Sequence, residues 1–485
     1  MRPAKVTLGR ASAILIGLPL VLPCLVSACK TAGGSGGGSP SPRSPSDSSE
    51  AVKWGLYGPD PAHVWNRLYR SLYLRVARDG REYGYDELDP LLWPETTHLL
   101  GGPSYRQAVA VLDEFLATHA ERLISDPMKR AVLQRDLWAV FDWTAERSDS
   151  LPPEGQNLQV KLAQVIRRLA LSAEEIRSLP DNYRDAVSAR TFATGYDPER
   201  PGAPFLPSDL FAPGGPWVPL SAAGGGPVAP GHVAGFDGRS AFLIFIRLPE
   251  GREATLAYLQ KLSDFPRPWV RDRRNTAEVR PNPELPQFPA GTQLALVRQM
   301  MLIDDRGSLT PTSLTEEVQV RVHRAIPVEI PEGLRLDRNE ARAALDVCEF
   351  RLSRAKLFSG DAGGLRPVGR DEKEFPVFAS HGIDLFDMSA GFGSLDLHLR
   401  PVLSSCSQCH FRPGVHSVLS RAPDITLLRA RDVRRDLAPS RDSQYEAAGA
   451  KNWKLGRRSW KRLQELWQAP SVTTVQVTGA MAGGD

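Results

Sequence analysis

Apolar side chains recur at helical spacing through the N-terminal third of the chain, which predicts amphipathic helices that pack as a bundle. Helix-start signals support the pattern, because Asp or Ser can cap the first free N–H groups and Pro suits the first helical position. Such signals occur at Asp60-Pro61, Ser104 with Gln107, Asp126-Pro127 and Ser172 with Glu175. We therefore predict a helical domain over residues 53–190.

A strand pattern follows a Pro- and Gly-rich stretch, residues 191–234, which is typical of a connector. Residues 241–246 form a continuous apolar run, and the valines of residues 318–322 alternate with polar residues. The alternation directs His323 towards solvent or a neighbouring element. Asp304-Asp305-Arg306-Gly307 indicates a turn rather than a catalytic pair of carboxylates. The pattern predicts a small α+β domain with an antiparallel sheet over residues 235–333.

Helical spacing returns in residues 334–470, where a helix is predicted from Ala341 to Phe358 with Cys348 as a buried, inert thiol. A last helix is predicted to place Trp460 and Leu463 on one face after a break at Gly456. Residues 471–485 are predicted to be a disordered tail. The fold class expected is multi-domain and mainly α, with a central α+β domain and a helical or loop-rich C-terminal segment.

Composition narrows the classes of function. The 485 residues are 41% hydrophobic and 24% charged, as in globular proteins. A net charge of +4 is small for this length, which argues against a dedicated nucleic-acid binder. Only five cysteines occur, and four of them lie in two special contexts, so no disulfide framework is expected.

The first of these contexts is Cys406-Ser407-Gln408-Cys409-His410, which has the C-x-x-C-H spacing of a covalent haem attachment sequence. Two thiols at this spacing add across the two vinyl groups of one haem. The imidazole that follows then lies beneath the iron as a nitrogen ligand. We therefore predict one covalent haem c, held by Cys406 and Cys409, with His410 as the proximal iron ligand.

Residues 334–470 resemble c-type cytochromes in this motif and, loosely, in the aromatic-bearing helix at Trp460. The resemblance implies a second axial ligand, which in small cytochromes is a Met well downstream of the motif. Here the downstream Met is Met481, in the Gly-rich tail, so another residue is expected to serve. The candidate distal ligands are Met388, His381 and His398, with His416 ranked last; a five-coordinate iron is the remaining case.

Two other readings of the cysteine pair stay open. Cys406 and Cys409 could form a small-loop disulfide, or they could be half of a zinc site. Zinc would need two further ligands, and no second C-x-x-C pair exists in the chain.

The second cysteine context lies near the N-terminus, where basic residues precede an apolar run that ends in Val26-Ser27-Ala28-Cys29. This sequence resembles the lipobox of bacterial lipoproteins, which implies a signal peptide at residues 1–28 and a lipid on Cys29. The alternative is an ordinary secretory signal cleaved near Ala28. Residues 29–52, rich in Gly, Ser and Pro, would then be a flexible tether to the membrane of a bacterial cell envelope, facing the periplasm or the cell surface.

Three functions are compatible with these features: an electron-transfer cytochrome, a haem enzyme such as a peroxidase, and a non-catalytic scaffold or sensor. Electron transfer is preferred because no other catalytic constellation is apparent. Residues 412–462 contain thirteen Lys and Arg against five Asp and Glu, which is compatible with docking of an acidic redox partner. The lipid is expected to bring the protein to a membrane, and no nucleic-acid partner is expected.

Overall fold

The computed structural model describes residues 55–76, 82–84, 98–146, 151–222, 226–271, 279–326, 344–374, 400–405, 410, 414–419, 428–430 and 439–468. Within these ranges the chain combines many helices with an antiparallel sheet, so a fold of mixed α and β content is confirmed.

The predicted helical character of residues 53–190 is present in their described part. The helices there are α1 (Val64–Tyr73), α2 (Gly102–Ala117), α3 (Pro127–Glu146), α4 (Pro153–Leu169), α5 (Ala173–Ser178) and α6 (Asn182–Ser188), of which α4 and α6 had no predicted start.

Two of the predicted helix starts are confirmed by their hydrogen bonds. Asp126 accepts a bond from the backbone N–H of Met128, at 2.8 Å, and α3 begins at Pro127. Ser172 and Glu175 form the reciprocal capping box that opens α5. The other two predicted helix starts, at Asp60-Pro61 and at Ser104, are wrong. Helix α1 begins at Val64 with His63 as its cap, and α2 begins at Gly102, so that Ser104 lies inside the helix.

The described residues contain a seven-stranded antiparallel sheet. Its strands are β3 (Val218–Ala222), β4 (Ser240–Arg247), β7 (Gln293–Ile303), β8 (Leu309–His323), β9 (Leu345–Leu352), β10 (Leu365–Pro367) and β13 (Leu428–Ala430). Their order in the sheet is β10-β9-β8-β7-β4-β3-β13. Short two-stranded ribbons pair β1 (Arg75–Val76) with β2 (Glu82–Tyr83), β5 (Trp269–Arg271) with β6 (Val279–Pro281), and β11 (Lys373–Glu374) with β12 (Arg400–Pro401).

The remaining helices connect or cover these strands. They are α7 (Pro230–Gly235), α8 (Arg252–Ser263), α9 (Arg354–Ser359), α10 (Val402–Ser405), α11 (Val415–Leu419), α12 (Pro439–Leu455) and α13 (Arg458–Gln468). The predicted strands at 241–246 and 318–322, the turn at 304–307 and the break near Gly456 are all confirmed. The stretch at 191–234 was predicted as a connector throughout, yet it contains β3 and α7.

The helix predicted from Ala341 to Phe358 is wrong over most of its described length. Residues 345–352 form strand β9, and a helix begins only at Arg354. Cys348, Phe350 and Leu352 also alternate, and pairing of β9 with β8 places Cys348 opposite Val320. Tertiary packing therefore favoured the strand over the helical spacing of Leu345, Cys348 and Leu352.

One hydrophobic core extends across the predicted domain boundaries. Trp65 of α1, Trp138 of α3, Phe242 of β4, Met301 of β7 and Leu463 of α13 all belong to the same cluster of buried residues. The boundaries near residues 190, 234 and 333 remain a prediction, and the described segments on either side of them pack together.

Helix α3 is buried on all sides, since every residue from Ala131 to Ala145 is buried, including several charged ones. Asp142 accepts hydrogen bonds from the Lys454 ammonium and from Arg239, each at 2.7 Å. The Lys454 ammonium also lies 2.5 Å from Asp237 and 3.0 Å from the Ser459 hydroxyl. This group, which we call the Lys454 cluster, joins α3, the turn before β4 and the C-terminal helices.

We expect Lys454→Met to lower the free energy of unfolding by about 3–5 kcal/mol, because it leaves the buried Asp142 and the partly buried Asp237 with too little positive charge. Lys461→Met, in the exposed part of α13, should change it by no more than about 0.5 kcal/mol. Urea unfolding of the two variants measures the difference. An equal loss of unfolding free energy in the two variants would show that Lys454 stabilises the fold no more than an exposed lysine does.

His323 provides a pH-dependent test of the sheet. Its ring is buried against Phe288, with centroids 4.9 Å apart, and burial together with Arg321 lowers the pKa of His323 to about 3. Below the ordinary pKa of 6.5, the unfolded chain therefore binds a proton that the folded chain does not.

Between about pH 3 and pH 6.5, stability should fall as pH falls, by up to about 1.4 kcal/mol per pH unit from this residue. His323→Gln should remove that part of the slope, whereas His119→Gln, at an exposed ring, should keep it. Urea midpoints at about pH 5 and pH 7.5 provide the measurement. An unchanged slope in His323→Gln would contradict the assignment.

Candidate functional site

His410 is the residue of the C-x-x-C-H motif that the structure describes, and its ring orientation is set by a backbone hydrogen bond. Nδ1 of His410 lies 2.6 Å from the carbonyl oxygen of Ser417. A carbonyl oxygen can only accept, so Nδ1 carries the proton and donates it. The neutral ring in this tautomer has its lone pair on Nε2, which is the nitrogen that a metal would bind.

The acceptor carbonyl belongs to helix α11, which is held against the loop before β7. The Val415 N–H donates to the Gln287 side-chain oxygen at 2.9 Å, and the Ser417 hydroxyl donates to the Gly414 carbonyl at 2.9 Å. Val415 and Leu419 are buried in a hydrophobic cluster with residues of β3, β4 and α8. Gly414 has a φ of +55°, in the left-handed region, so this turn favours glycine.

A second histidine, His232, lies beside His410 although no sequence pattern links the two. The ring centroids are 6.3 Å apart, and the ring planes are inclined by only 13°. His232 is partly buried and lies in the short helix α7, within the stretch that we predicted to be a connector. The Pro at the first position of α7 was the available sequence signal of a helix here.

Aromatic side chains border His232. Its ring lies 5.3 Å from that of Phe242 on β4, and Phe242 in turn lies 5.8 Å from Phe236. Burial lowers the pKa of His232 to about 4; the nearby Arg321 and Arg298 also lower it, and Glu317 acts in the opposite direction. The imidazole of His232 is therefore neutral near pH 7, as a metal ligand must be.

The sheet carries charged side chains on the same face as Phe242. Strand pairing places Arg298 beside Phe242, and Glu317 beside Arg298, with 3.4 Å between Arg298 and Glu317. Further along this face, Gln319 donates to Glu349 at 3.2 Å, and burial raises the pKa of Glu349 to about 7. The site therefore combines an aromatic border with a polar sheet face in which both signs of charge occur.

The other predicted site residues lie outside the described residues: Cys29, His381, Met388, His398, Cys406 and Cys409. Their roles stay predictions. His416, which we ranked last as a distal ligand, is buried in α11.

The prediction of a buried thiol at Cys348 is confirmed. Cys348 lies on β9, its sulfur is 3.7 Å from the Phe205 carbonyl oxygen, and burial raises the pKa of the thiol to about 11. A thiol with so high a pKa is a poor nucleophile.

In the part of the chain that the structure describes, no group of three or more His, Cys, Asp or Glu side chains is arranged to hold a metal ion. In the same residues, no helix has the length and apolar character needed to cross a bilayer.

The donor set that the structure does show is two imidazoles. His410 has its proton fixed on Nδ1, and His232 faces it as a nearly parallel ring. Imidazole is a strong ligand for haem iron, and a haem can accept one ligand on each face, so these residues fit that group. No protein-family model, curated protein or solved structure matches this chain.

Proposed function

We propose that this protein is a c-type cytochrome of the bacterial envelope that transfers single electrons. The observation that carries the proposal is the hydrogen bond from His410 to the Ser417 carbonyl, directly after a C-x-x-C pair. A backbone carbonyl that accepts a hydrogen bond from Nδ1 is a typical partner of a histidine that binds metal through Nε2, because it fixes both the tautomer and the ring orientation.

The residues of the motif have separate roles in this proposal. Cys406 and Cys409 form thioether bonds as each S–H adds across one vinyl group of the haem, with no net oxidation. His410 binds the iron through Nε2, and the Ser417 carbonyl makes that nitrogen a stronger donor. When bound, the haem supplies an iron that takes one electron from a reduced redox protein and gives one electron to an oxidised redox protein.

An acidic redox partner would contact the basic stretch of residues 412–462. Among the described cations of this stretch, Lys454 is buried beside Asp142, and the partly exposed Arg457 lies 3.5 Å from both Glu146 and Asp237. Lys461 is exposed, and Lys451 is partly exposed. We assign those two lysines to the proposed docking surface.

We also propose that the protein is a lipoprotein, with lipid on Cys29 and residues 29–52 as a tether that holds the body away from the membrane. The proposed body has a helical N-terminal part, a sheet-containing central part and a C-terminal segment, residues 334–470, that bears the haem.

The attachment of haem can be tested directly on the full chain, expressed in a bacterium that has periplasmic haem-attachment machinery. The wild-type protein should keep its haem stain on a denaturing gel, because thioether bonds survive denaturation. The double variant Cys406→Ser, Cys409→Ser should lose the stain. Cys348→Ala, which removes a buried thiol elsewhere, should keep it.

A wild-type protein that carries no stain would overturn the proposal. Zinc in elemental analysis would then favour a metal site of Cys and His, and loss of free thiols at Cys406 and Cys409 would favour a disulfide.

The lipid anchor has its own test. The wild-type chain should incorporate labelled fatty acid and sediment with membranes, whereas Cys29→Ser should lose the label and move to the soluble fraction. Cys24→Ser, within the signal segment, should behave as the wild type does. Label on the Cys29→Ser protein would contradict the lipobox assignment.

A further inference from the structure

We infer that His232 is the second axial ligand of the haem whose proximal ligand is His410. This inference rests on the proposed haem, and it replaces the distal candidates taken from the neighbourhood of the motif with a residue from another part of the fold. The juxtaposition of the two rings supports it, together with the way α7 is held in place.

The distance between the two rings matches ligands on opposite faces of one iron. Each imidazole would bind through a metal–nitrogen bond of about 2.0 Å, so two rings on opposite faces place their centroids about 6 Å apart. The observed separation is 6.3 Å, and the planes are nearly parallel at 13°.

The same centroid distance also argues against a tetrahedral zinc site. Cys406, Cys409, His410 and His232 would together have the ligand types of such a site. Two imidazoles at neighbouring corners of a tetrahedron would have their centroids about 5 Å apart. The longer observed separation therefore favours ligands on opposite sides of the metal.

Helix α7 is fixed at its C-terminal end, so His232 has a defined position. The Phe236 N–H donates to the His232 carbonyl at 3.1 Å, and the Gly238 N–H donates to the Val233 carbonyl at 2.8 Å. Val233 is buried. Asp237, in the turn that follows, is held 2.5 Å from the Lys454 ammonium. The chain thus presents His232 from a rigid support, as a preorganised ligand requires.

This assignment also selects among the three functions considered for the chain. An iron with two histidine ligands has no open face for peroxide or a gas. It is therefore suited to electron transfer rather than to catalysis or sensing. A Met ligand in place of one His raises the potential of a haem, so two histidines predict a lower potential than that of His/Met cytochromes.

The test uses the stained full-length holoprotein and its His232→Ala and His232→Met variants, and the readout is spectroscopic. The wild type should be low-spin in both oxidation states, and its ferrous form should not bind carbon monoxide. His232→Ala should retain the covalent stain but become high-spin and bind carbon monoxide. Added imidazole should restore its low-spin spectrum, which a merely misfolded variant would not show.

His232→Met is the second variant, because it keeps a side chain able to bind iron. It should remain low-spin, acquire the absorption band of methionine bound to ferric haem, and show a higher reduction potential. His119→Ala, an exposed histidine elsewhere, should match the wild type in every measurement.

A low-spin spectrum retained by His232→Ala would overturn the inference, and the corresponding Ala variants of His381, Met388 and His398 would then identify the true ligand. In that outcome the wild-type stain would still support the proposed cytochrome. An unstained wild type would refute both proposals together.

Discussion

The Lys454 ammonium and the two carboxylates around it are the interaction on which the arrangement of the molecule depends. Lys454 and Asp142 are both almost fully buried, and an isolated charge in such a place would cost several kcal/mol. Burial raises the pKa of Asp142 to about 6, while Lys454 and Arg239 lower it, so the carboxylate is tolerated because cations surround it. Helix α3, the turn before β4 and the C-terminal helices must therefore meet at one point.

That meeting point lies next to the proposed haem ligands. Asp237 and Arg239, which contact Lys454 and Asp142, follow directly after the helix that carries His232. Phe242, on the strand that begins at Ser240, borders the ring of His232. The buried charges thus fix the end of α7 and the start of β4, and with them the position of His232, the proposed ligand.

Sequence patterns predicted helices α3 and α5, with their starts, and strands β4 and β8, because the spacing of apolar and polar residues along each element is characteristic of a helix or a strand. They failed at β9, where Cys348 and Leu352 satisfy both periods and only pairing with β8 decides between them. At the proposed site, the C-x-x-C-H motif predicts His410 as a ligand by itself, since covalent attachment of a haem would require adjacent residues. His232 could not be found in this way. Its relation to His410 exists only after the sheet and the C-terminal segment have packed, and its own surroundings in sequence are typical of a connector.

The long sequence separation within the Lys454 cluster has a consequence for how the chain matures. Asp142 and Lys454 are 312 residues apart, so the N-terminal helices are synthesised and emerge well before the cation that neutralises their buried carboxylate. Until then, closing the core around Asp142 would leave an unpaired charge in an apolar interior. Completion of the fold is therefore delayed until the last helices have emerged, as expected for contacts that are distant in sequence.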